Sequence, residues 1–126
     1  MNAPAILHDF VAQFNAGRYW ESHEVLESEW RRTRSEFYHG LILYASAWVH
    51  CQRGNAAGVR AQLAKATPIL DRYGPHYLGM DVEALHRESS ALRQLAGDNR
   101  LADATRPSIV ITPSLIKGDE AELLSP

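Results

Sequence analysis

Apolar residues return every three or four positions through most of this 126-residue chain, the period of helices with one buried face. Ile6, Leu7, Phe10, Val11 and Phe14 share one side and predict a helix from Pro4 to Asn15. Proline suits a first helical position, and Gly17 is placed to end the helix. A second helix is expected from about Tyr19 to Arg32, with no Ser, Thr, Asp or Asn at its entry to mark the first residue. Ser35 can cap a third, from Glu36 to about Arg53. Its two sides are Phe37, Leu41, Tyr44, Ala45 and Trp48, and His39, Leu43, Ser46, Ala47 and His50. A helix apolar almost all round belongs at the centre of a bundle. Gly54-Asn55 ends it, and Asn55 can cap a fourth helix over about Ala56 to Tyr73, where Pro68 predicts a kink or an early stop. Tyr73 to Gly79 reads as a loop, and Asp81 as the cap of a fifth helix that carries Val82, Leu85, Leu92 and Leu95. Gly97-Asp98-Asn99 ends that helix.

From Thr105 the character changes. Pro107 and Pro113 bracket a β-branched run, Ile109 to Thr112, with no partner strand visible in the sequence. That run is expected to lie across the helices or to pair with a second subunit. The fold class is therefore all-α: an antiparallel bundle of about five helices over residues 1–104, with an extended C-terminal tail over 105–126. The short connection between the third and fourth helices reads as an αα-hairpin.

Length fits one domain, and a formal charge of −2 comes with no large Lys/Arg cluster, so no nucleic-acid partner is expected. Arg31-Arg32-Thr33-Arg34 reads as the basic end of a helix, where cations suit the dipole. The single cysteine, Cys51, excludes an intrachain disulfide and a multi-cysteine metal site. No signal-like leader or bilayer-length apolar run is visible, the longest being Gly40 to Val49. A cytoplasmic protein without membrane contact is the expectation.

Chemistry concentrates in the second helix. Tyr19, His23, Leu26, Glu27 and Trp30 share one side at helical spacing, and the apolar members turn it toward the core. His23 and Glu27 are one turn apart and can reach one ion, and an antiparallel third helix would bring His50 beside His23. With Glu24 alongside, this mixed nitrogen and oxygen set suits zinc, manganese or iron. A metal-bound water would then need a base, and Glu24 or Glu27 is the candidate, whichever is not a ligand. Tyr19, Trp20, Trp30, His39 and Arg53 would line the pocket, although large aromatics at helical spacing, Trp48 included, also read as core. Two metal-free alternatives stand beside this: a polar pocket, and a structural His23–Glu27 hydrogen bond that sets helix register. No nucleophile stands out, and Cys51 diverges from His50 on the same helix.

Three blocks carry a family resemblance: Phe14 through Glu27 followed by Trp30, Phe37 through Ile42, and His50 through Asn55. Together they resemble the DUF309 proteins, small bacterial and archaeal proteins of uncharacterised function, over about residues 6–73. The resemblance centres on His-x-x-x-Glu-x-x-Trp/Tyr, here His23, Glu27 and Trp30, with Ser22 where many relatives carry Ala. It implies an all-helical fold and adds weight to a metal at that motif, and it implies no reaction. Two functional readings follow. One is a divalent-metal site, with metal-dependent hydrolysis as its enzymatic form. The other is a non-enzymatic helical scaffold or homodimeric interaction protein in which the His–Glu pair is structural and the dimer covers the third helix and the tail.

Overall fold

The structure, a computed structural model, describes residues 2–116. The part of the expected tail over 117–126 lies outside the described residues. Five helices make the body: α1 (Ala5–Asn15), α2 (Tyr19–Thr33), α3 (Glu36–Gln52), α4 (Ala56–Asp71) and α5 (Val82–Gly97). Each packs on the next in sequence, so α3 lies between α2 and α4. The expected all-α fold is what forms, and α3 is buried over most of its circumference, from Phe37 to Val49. Among the described residues no helix is long and apolar enough to cross a membrane.

Local chemistry places the helix ends. The Ser35 hydroxyl accepts the Tyr38 N–H at 3.2 Å, Asn55 Oδ1 the Gly58 N–H at 3.0 Å, and Asp81 Oδ1 the Ala84 N–H at 2.9 Å. Each satisfies one of the donors a helix start leaves open. α2 begins without a side-chain cap, as its sequence implies. Helix α4 runs through Pro68 to Asp71 without the expected early stop. Ala66 and Leu70, buried on either side of Pro68, hold that last turn in place.

Two glycines let α3 and α4 approach closely. A Cβ on Gly40 would meet Leu70 and Ile69, and a Cβ on Gly58 would meet the His50 ring. One contact lies near each end of α3, so the pair is antiparallel along its length.

The expected loop contains a hairpin. β1 (His76–Tyr77) pairs antiparallel with β2 (Met80–Asp81) across Leu78 and Gly79, both at positive φ. Such a two-residue turn is usually signalled by Asn-Gly or Asp-Gly. Leucine in its first place hides it, and burial of Leu78 holds it there. The tail supplies the partner the sequence does not reveal: Ile111 bridges Met80, and the Thr112 N–H donates to Gly79 O at 2.7 Å. The extended run thus lies on its own chain. At its start, Asn15 grips Ile109 twice, Nδ2 donating to its carbonyl and Oδ1 accepting its N–H, both at 2.8 Å.

Candidate functional site

The buried line of α2 is Tyr19, Ser22 and Leu26. This corrects the expected core-facing stripe: His23, Glu27 and Trp30 flank the buried line and are half-buried. Ser22 tolerates full burial because its hydroxyl donates to Tyr19 O at 2.7 Å. Serine counts as polar in a periodicity reading, so the stripe is drawn one residue too far round the helix.

The rotation brings two tryptophans to the surface. Trp48 is a core residue, whereas Trp20 is 49% exposed and Trp30 half-buried. The Trp20 ring stacks on His23 with centroids 5.2 Å apart, and the Arg53 guanidinium lies 5.9 Å from the Trp20 centroid. Trp30 stacks on His39 at 4.6 Å, with the Arg34 guanidinium at 5.7 Å. Trp20 meets the end of α3 and Trp30 its start, so the helices are antiparallel and His23 stands level with the last turns of α3, where His50 lies. His39 and Arg53 sit at opposite ends of this face. Its α3 edge is His39, Leu43, Ser46 and His50, all half-buried.

His50 is held from two sides. Its ring lies against Gly58, and Asn55 Nδ2 lies 3.1 Å from its Nδ1. Asn55 Oδ1 is committed to the Gly58 N–H, which fixes the amide so that Nδ2 is the donor and His50 Nδ1 the acceptor. The ring proton then resides on Nε2. A zinc-type histidine has the opposite arrangement, with one nitrogen donating to an acceptor and the other free for the metal. His23 has its Nδ1 buried without a partner, which leaves Nε2 as its outward nitrogen.

The carboxylates do not complete a ligand set. Glu27 accepts from the Arg31 guanidinium at 2.6 Å, and no His23–Glu27 hydrogen bond forms among the described residues. Glu24 is exposed. Among the described residues no group of three or more His, Cys, Asp or Glu side chains is placed to hold one ion.

The remaining histidines lie elsewhere. His8 contacts Asn2 at 3.0 Å, and His76 Nδ1 is buried without a partner. His86 Nδ1 lies 3.0 Å from Asp71 Oδ1 beside a cleft of about 510 Å³. A second cleft, of about 400 Å³, lies between the α1–α2 turn, the end of α3 and the tail. Cys51 is half-buried at the edge of the core, and burial pushes its thiol pKa up.

Comparison with known proteins supports the sequence resemblance. Residues 7–62 match the family model of DUF309, a domain of unknown function. The chain is also similar to the uncharacterized protein YpuF of Bacillus subtilis (strain 168), 35% identical over 72 residues. That match covers 53% of this chain and 41% of YpuF, so the chain spans less than half the length of that relative. No solved structure matches.

Proposed function

Because residues 7–62 of this chain belong to the DUF309 family, which carries no assigned activity, we propose a function from the geometry of the site: a helical interaction module that self-associates through its α2–α3 face. The observation that carries this reading is Trp20. It is one of two large hydrophobic side chains left exposed among the described residues, and it is braced between His23 and Arg53. An indole held rigid in water forfeits burial and loses little further freedom on docking. Trp and Arg together are the side chains that dominate interface energies.

Charge favours a second copy as the partner. The α2 edge carries the exposed Glu24, with Glu27 already paired to Arg31, and the α3 edge ends in the exposed Arg53. A two-fold axis running along and between the helices lays each α2 on the partner's α3, so the Glu24 edge meets the Arg53 edge twice. Levels along the helices are preserved, which sets Glu24 opposite the partner's Arg53.

Charge reversal tests this arrangement. Glu24→Lys alone and Arg53→Glu alone should each abolish self-association, and mixing the two variants should restore a heterodimer in which both contacts are complementary. Self-association that neither variant affects would exclude this face.

A divalent metal at His23, Glu27 and His50, with Glu24 as base, is the second reading. Its support is the shared level of the two histidines, and the donor role of His50 Nε2 weighs against it. Elemental analysis beside His23→Ala separates the readings, because stoichiometric metal lost in the variant would favour the metal.

A further inference from the structure

We propose that the cleft between the α1–α2 turn, the end of α3 and the tail binds a small organic monocarboxylate. This site is separate from the α2–α3 face, and the inference does not rest on the proposed self-association.

The cleft, of about 400 Å³, is lined by both hydrogen-bond donors and apolar surface. Tyr19 is only 4% exposed, its ring wedged between Phe14 and Trp48 at centroid distances of 4.9 and 5.9 Å. Its hydroxyl nevertheless has no hydrogen-bond partner among the described residues and is not sealed in the core, so it opens into the cleft it lines. A hydroxyl in this position is left to be satisfied by whatever fills the cleft.

Arg106 provides the charge. Its Nη2 donates to Asn15 O at 3.0 Å and its guanidinium packs over Gly17, where a Cβ would collide with it. Two anchors from α1 and the following turn thus hold the cation at the cleft with further N–H groups unspent. Arg106 is close enough to act on the Tyr19 hydroxyl electrostatically, so both donors serve one region. Gln52 closes the floor by donating to Gly17 O at 2.9 Å.

The composition of the walls selects the ligand class. No Asp or Glu lines the cleft, so an anion meets no opposing charge there. A single arginine matches a single negative charge. Trp48, Leu101 and Ala104 form an apolar wall for the body of the molecule. An oxyanion with an apolar or aromatic body, such as an aryl carboxylate, uses every part of this surface, while inorganic phosphate leaves the wall uncovered.

The test is an NMR titration of the full chain with benzoate, benzamide and inorganic phosphate as separate probes. Benzoate should saturate and shift the signals of Tyr19, Trp48 and Arg106. Tyr19→Phe keeps the ring and its packing, and should weaken benzoate about tenfold or more by removing a hydrogen bond to a charged group. Arg106→Gln should weaken it at least as much. Benzamide binding as tightly as benzoate, phosphate binding as tightly as benzoate, no saturable shift at these residues, or unchanged affinity in Tyr19→Phe would each overturn the proposal.

Discussion

Asn55 holds His50 and the start of α4 with one side chain. Its Oδ1 accepts the Gly58 N–H at 3.0 Å while its Nδ2 lies 3.1 Å from His50 Nδ1. A helix cap thereby decides which nitrogen of a surface histidine carries the proton. The expected wild-type tautomer has hydrogen on Nε2, which ¹⁵N chemical shifts of the imidazole report directly. Asn55→Asp replaces the donor by an acceptor and should move the proton to Nδ1, freeing Nε2 as a metal ligand. Zinc should then bind Asn55→Asp more tightly than the wild type. A proton on Nδ1 in the wild type would remove the argument against a metal at His50.

Gly58→Ala sets two effects against each other. Alanine gains helix propensity of at most about 1 kcal/mol. Its Cβ, however, would occupy the space of the His50 ring, which Asn55 holds in place. Overpacking of this kind costs about 1–3 kcal/mol, so net destabilisation is expected in chemical denaturation. A more stable variant would mean that His50 moves freely.

The tail depends on Asn15. Asn15→Ala removes both 2.8 Å hydrogen bonds to Ile109. The expected loss is about 1–3 kcal/mol, with faster amide exchange at Ile109 and Thr112 than in α3 or α4. Exchange accelerated equally throughout would mean that the tail and bundle unfold as one unit.

Alkali should unfold the bundle. Burial pushes the Tyr38 hydroxyl from 10.0 up to about 12 and raises that of Tyr44 as well. The unfolded chain releases these protons first, so their contribution is fully present below about pH 10 and is lost as pH rises toward about 12. Tyrosinate absorbance and helix content should change together. Complete tyrosine ionisation near pH 10 with helices intact would contradict their burial.

Helix boundaries were legible because their signals are local. Ser35, Asn55 and Asp81 are caps in the sequence and caps in the structure. The centrality of α3 follows from its nearly unbroken apolar surface. The hairpin was hidden because its turn carries Leu78 where Asn or Asp would announce it. Its third partner, Ile111, lies 31 positions from Met80 and shares no local pattern with it. The face of α2 was misread by one residue, because burial of Ser22 depends on a backbone carbonyl that no periodicity displays. The His23 motif is visible in the sequence, whereas the Trp20–His23 and Trp30–His39 stacks depend on side-chain packing and on the antiparallel register of α2 and α3, which no local pattern displays.

Sedimentation velocity over a range of concentrations tests the self-association of the α2–α3 face most directly, with Trp20→Ala run beside the unaltered chain. The expected result is a reversible dimer whose dissociation constant rises about thirtyfold in Trp20→Ala, the loss of about 2 kcal/mol typical of a buried tryptophan anchor. A monomer at every concentration, or a dimer that Trp20→Ala leaves unchanged, would contradict it.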